Sequence, residues 1–189
     1  TTIADLDGVK IGGAGPNLAW LRGTGAVGVQ GSLVSFYNDI KTGIYEGYIA
    51  WMTSAVPARL YEVAPHWNLT HFGAMYIGGL GVAQPVWDGF SEETKAAFRT
   101  AAAAYSKAYF DEQDARYESA RKTMLDNGGQ IHAFDPDERA RWIERMPNPT
   151  SGWLAAAEAR GEPARAVLEA YRDHLAGNGF TFVRDYLAE

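Results

Sequence analysis

The turn Gly12-Gly13-Ala14-Gly15 is the segment of this chain whose residue types come nearest to a cofactor loop. A dinucleotide fingerprint needs Gly-x-Gly-x-x-Gly where a strand meets a helix, so that backbone N–H groups approach a pyrophosphate. Gly13 and Gly15 fill the first two positions, but Leu18 stands at the third, and the next strand ends at Gln30 where a ribose-binding acid belongs. The glycines read as close backbone packing, or as N–H groups that hold a polar ligand at a helix start. A nucleotide-binding or enzyme domain built on residues 12–15 is the alternative. Other reactive constellations are missing from the sequence. There is no cysteine, and neither a Gly-x-Ser-x-Gly elbow nor a His-Glu-x-x-His pair occurs. His66, His71, His132 and His174 are scattered, with no helical or hairpin spacing to set two on one metal. Glu92/Glu93 and Asp135/Asp137/Glu138 stand at helix starts, where capping accounts for them. The expectation is binding and not catalysis, with no cofactor and no metal.

Composition narrows the partners. The chain has 189 residues, 47% hydrophobic and 21% charged, with a formal net charge of -6. An acidic chain lacks the basic face that phosphate binding needs, so a nucleic-acid partner is not expected. The apolar run at 74–83 is about half a membrane span. Thr1 is neither an initiator methionine nor part of a signal sequence, and is expected to be a processed terminus or a cut inside a longer protein.

The elements that must position the polar groups alternate strand and helix. Strands are expected at 8–11, 26–30 and 44–51, with helices over 16–22, 33–42 and 54–63. Short connections between them imply an α/β unit with a small, mostly parallel sheet and flanking helices. From Ser91, a good N-cap, to Gly128 neither glycine nor proline interrupts the chain, which predicts one helix of ~55 Å. Phe98, Tyr105, Tyr109, Tyr117 and Met124 recur along it on a seven-residue rhythm. A strand at 130–134 and helices near 137–145, 151–160 and 163–176 close the chain. In sheets of this kind ligands bind beyond the carboxyl ends of the strands. Asn17, Gln30, Ser32 and Trp51 fall at such ends.

Several stretches resemble the second half of the TRAP (tripartite ATP-independent periplasmic) transporter solute-binding proteins, the DctP type. DLDGVKIGG at 5–13 is similar to the opening of that family's second lobe. In GTGAVGVQGSLVSFYNDIKTGIYEGYIAW at 23–51, Gly25, Ala26, Tyr37, Gly43, Glu46 and Gly47 keep the family's register. The uninterrupted helix resembles the one that runs along both lobes. The resemblance implies residues 1–73 as a second lobe, 74–90 as a crossover strand and connection, 91–128 as a bridging helix and 129–189 as a short strand with closing helices. It implies a periplasmic receptor that captures a small polar metabolite and delivers it to membrane permease subunits. Gly13, Asn17, Gln30, Ser32, Trp51, Phe72 and Tyr76 are the expected ligand wall. Asn17 and Gln30 would hydrogen-bond the ligand, Trp51 would stack on it, and N–H groups near Gly13 would hold an oxygen. The sequence departs from the family at Gly12, where members usually carry an arginine that clamps a carboxylate. With a first lobe missing from residues 1–189, the helix stripe is expected to pair in a homodimer.

Overall fold

The computed structural model describes residues 2–73 and 81–188. Strands β1 (Lys10–Gly13), β2 (Val27–Gln30) and β3 (Gly47–Tyr48) form a parallel sheet in the order β2-β1-β3. β1 begins two residues later than the hydropathy suggests, because Gly8 is in a turn at φ +75°, its N–H donating to the Gly25 carbonyl at 3.0 Å. β3 keeps only two residues of the expected 44–51. Before it, Tyr45 turns its ring onto β1, and after it the backbone runs to Trp51, the N-cap of α2 (Met52–Ala55).

Two expected helices are altered for local reasons. Residues Gly15–Leu21 form a 3-10 segment, bounded by glycines in the left-handed region at 15 and 23. The helix expected over 54–63 is split into α2 and a 3-10 turn at Leu60–Glu62. Pro57 lies between them and lacks the N–H a continuous helix would use, and Arg59 reverses the chain at φ +55°. The helix expected at 33–42 narrows to α1 (Phe36–Lys41), because Ser32 and Ser35 close a turn before it.

Each face of the sheet has its own cover. A Cβ on Gly12 would lie 2.6 Å from the Tyr45 ring, and one on Gly31 would lie 2.7 Å from Phe36. These glycines admit the α1 face, where Phe36, Tyr45, Ala55 and Leu60 are buried. On the opposite face a Cβ on Gly13 would meet Leu18 at 2.7 Å, so the 3-10 segment lies directly on the strands. Ile3, Leu21 and Trp142 are buried there.

A second sheet pairs β4 (His66–Leu69) in parallel with β5 (Gln130–Ala133). β5 lies where the sequence places a strand, whereas no element is expected at β4. Between them run α3 (Gln84–Asp88) and the long helix α4 (Glu92–Asp126), which lies within the expected 91–128. The Ser91 hydroxyl caps α4 by accepting the Thr94 N–H at 3.2 Å. Strand expectations over 74–80, including Tyr76, lie outside the described residues. Helices α5 (Pro136–Arg145), α6 (Ser151–Ala159) and α7 (Ala164–Gly177) follow. Asp135 caps α5 through the Asp137 and Glu138 N–H groups, as its position suggests. The Trp142 indole N–H donates to the Trp20 carbonyl at 2.6 Å and fixes α5 to the first sheet. Among the described residues no helix is long and apolar enough to cross a membrane.

Candidate functional site

The chain passes from β1 to β2 on one side and then over β1 to β3 on the other. That reversal makes a switch point, the place where sheets of this kind bind ligands beyond the carboxyl ends of their strands. The register sets Gly13 opposite Gln30 at this edge, with Gly12 opposite Tyr48. Four of the expected wall residues thus come from the β1 and β2 ends and the connections that follow them. Gly13 is buried, and its carbonyl accepts the Gly31 N–H at 3.0 Å. Asn17 is half-buried in the 3-10 segment. Gln30 is exposed and donates its amide to the Gly31 carbonyl at 3.2 Å. The exposed Ser32 hydroxyl lies 3.4 Å from that of Ser35. Trp51 follows β3 with 43% of its surface exposed, and its carbonyl is engaged by Ser54 and Ala55.

Phe72 has a different surrounding. Its ring stacks on Trp20 at 5.2 Å and meets Trp142 edge-on at 4.8 Å. The Arg139 guanidinium lies over it at 5.8 Å and donates to the Thr70 and His71 carbonyls. This side chain is engaged in packing the 3-10 face.

Two tyrosines outside the expected wall stand close to the same edge. Tyr45 is buried over Gly12, and its hydroxyl donates to Asp39 at 2.8 Å. Burial, reinforced by the Asp39 carboxylate, pushes its pKa up to about 12. An arginine at position 12 has no room while this ring is present. Tyr48 packs between Phe36 and Trp67, each ring 5.6 Å away. Its buried hydroxyl has no hydrogen-bond partner among the described residues, and burial pushes its pKa up, keeping the phenol neutral. The alternation of side chains through Gly47-Tyr48 into β3 was the available signal for it.

The edge offers neutral donors and acceptors beside an indole, and no described group there joins a nucleophile to a base. The nucleotide reading of residues 12–15 has no structural support. Leu18 closes the inner side of Gly13, and a short 3-10 segment follows the turn where a dinucleotide site places a full helix. Among the described residues no group of three or more histidine, aspartate or glutamate side chains could hold a metal. The histidines nevertheless depart from expectation. Parallel pairing of β4 with β5 brings His66 Nδ1 within 3.1 Å of His132 Nε2, a proximity that spacing along the chain does not reveal.

The chain belongs to the DctP family, the bacterial extracellular solute-binding proteins of family 7, which it matches over residues 1–151. This bears out the resemblance drawn from residues 5–13 and 23–51, and the family is one of binding proteins and not of enzymes. Solved structures share the fold. The periplasmic ectoine-binding protein of the TeaABC TRAP transporter from Halomonas elongata is 21% identical with a TM-score of 0.73, covering 93% of this chain and 57% of its own. A TRAP periplasmic solute-binding protein from a Sulfitobacter species, with bound β-D-galacturonate, is 19% identical with a TM-score of 0.65, covering 84% of this chain and 52% of its own. One from Roseobacter denitrificans, with bound β-D-glucuronate, is 19% identical with a TM-score of 0.68, over 84% and 52%. The chain thus spans about half the length of the solved structures it matches. No curated protein matches it in sequence.

Proposed function

We propose that this chain supplies one wall of a periplasmic TRAP-type receptor that captures a small polar metabolite and delivers it to membrane permease subunits. The observation that carries the reading is the register that sets Gly13 opposite Gln30 at the carboxyl edge of a reversed parallel sheet, with Asn17 and Ser32 in the connections that follow. Asn17 and Gln30 hydrogen-bond the ligand, and Trp51 lies against it. Gly12 under the Tyr45 ring leaves this wall without an arginine fork. The ligand is therefore uncharged or zwitterionic, or an acid whose carboxylate is held from the opposite wall. A zwitterion such as ectoine and a sugar acid such as galacturonate represent the two cases, and both are ligands named for similar proteins.

A thermal-shift screen tests this with polyols, ectoine, amino acids, uronates and plain dicarboxylates. Stabilisation by ectoine or a polyol supports the reading. Strong stabilisation by a dicarboxylate, held by an arginine of this chain in a crystal, overturns it. A cleft receptor buries most of its ligand between two walls. The chain alone then binds orders of magnitude more weakly than a form carrying the opposite wall, and equal affinities count against a cleft.

The exposed stretch of α4 is read as a contact surface that pairs with a second copy when no other body covers it. Tyr105 and Phe110 are 68% and 67% exposed. Burying such side chains is worth roughly 1.5–3 kcal/mol each. Light scattering across a concentration series checks this, and a monomer that persists at high concentration argues against it.

A further inference from the structure

We propose that His66 and His132 form a two-imidazole site for a borderline divalent metal ion such as Cu2+, Ni2+ or Zn2+. In a parallel pair the register residues lie on the same face, and His66 is paired with Gln130 while Asn68 is paired with His132. The four alternate with Trp67, Leu69 and Ile131, which pack against α4 around Met124. The histidines are thus a diagonal pair on the polar face of a two-stranded ladder whose other face is anchored. Their rings lie 5.4 Å apart at 31°, with His66 Nδ1 3.1 Å from His132 Nε2.

That separation suits a shared ion. With metal–nitrogen bonds of about 2.0–2.1 Å, two imidazoles on one ion stand about 2.9 Å apart at a right angle and about 3.4 Å apart at the tetrahedral angle. The observed spacing lies inside this window, and the rings now meet end to end, so each must swing on its side chain for the two lone pairs to converge on one ion. In the metal-free pair one inner nitrogen donates its hydrogen to the other. Binding needs both inner lone pairs, so the donor imidazole changes tautomer. Its hydrogen moves to the outer nitrogen, and no proton need be lost from the pair. Imidazole nitrogen favours copper, nickel and zinc over magnesium or calcium. Among the described residues no carboxylate or third histidine completes a larger set, so water fills the remaining positions. Such a site takes exchangeable metal and is not a buried structural one.

The test uses untagged protein and the metals alone. Retention on immobilised nickel, titration calorimetry with NiCl2 and the electron paramagnetic resonance spectrum of added Cu2+ are compared across variants. The wild type should bind one equivalent, with nitrogen hyperfine structure in the copper spectrum. His66→Ala and His132→Ala should each weaken binding by about tenfold or more, while His71→Ala and His174→Ala leave it unchanged. Circular dichroism and melting curves separate lost ligation from lost folding, and His132→Gln provides a second, polar replacement. Binding that survives both His66→Ala and His132→Ala, or a folded wild type that binds no metal, overturns the proposal.

Discussion

The two parts of α4 carry the same aromatic rhythm and meet opposite fates. Near its carboxyl end Ala120 and Met124 are buried, and Tyr117 packs with them against Met52, Trp67 and Ile131. From residue 96 to residue 112 every position is exposed. Phe98, Tyr105 and Tyr109, three members of the same sequence stripe, are among them. The stretch holds its helix through alanine-rich propensity and surface pairs such as Lys107–Asp111 and Arg116–Glu112. Exposed pairs of this kind add little each. A hydrophobic period therefore identifies a face that seeks cover, and says nothing of which body provides it.

Removing Met124 should have the largest effect. It is fully buried, so Met124→Ala should cost about 2–5 kcal/mol in urea unfolding. A loss no larger than that from an exposed position would erase the distinction between the two parts. Gly129→Ala comes next. A Cβ there would meet the Met124 side chain and lie 2.9 Å from its carbonyl oxygen. Overpacking at this point should cost about 1–3 kcal/mol, and an unchanged midpoint would show that the end of α4 yields easily. Tyr105→Ser and Phe110→Ser should shift the stability of the monomer by less than about 0.5 kcal/mol. Together they should abolish any concentration-dependent association in light scattering. A large loss of monomer stability would mean that the stretch is covered within the chain.

The smallest effect is one of pH. The Glu138 carboxylate accepts the Ile3 N–H at 2.9 Å and pairs with Arg141, and these contacts lower its pKa. A carboxylate whose folded pKa is depressed contributes stability that is present above the ordinary carboxylate range. That contribution is lost as pH falls through the folded value. Glu138→Gln should lower stability slightly at neutral pH and flatten its decline in acid. Parallel curves for both proteins would remove Glu138 from the account.

What could be read from sequence follows the range of the interaction that decides each feature. α4 was legible almost to the residue because its limits are local: Ser91 caps one end and Gly128 ends the other. The succession of strands along the chain was also legible, since alternation and short connections set it. The break at Pro57 was available in the sequence, since a proline inside a helix lacks the N–H that the next turn would use. β4 was not legible, because HWNL gains its strand form from pairing with β5 across α4. The same long-range pairing hid the contact of His66 with His132. Tyr45 escaped notice because its role depends on Gly12, a residue whose meaning lies in what covers it.

The claim that the strand ends form a ligand wall is tested most directly by calorimetry on the longest natural form of the protein. The titrant is the strongest stabiliser found in the thermal-shift panel, applied to the wild type and to Asn17→Ala and Gln30→Ala. Each substitution removes a polar group near the exposed edge, so melting temperatures should stay close to the wild type. The account predicts binding weakened by about tenfold in each variant, and undiminished affinity in both, with folding intact, would contradict it.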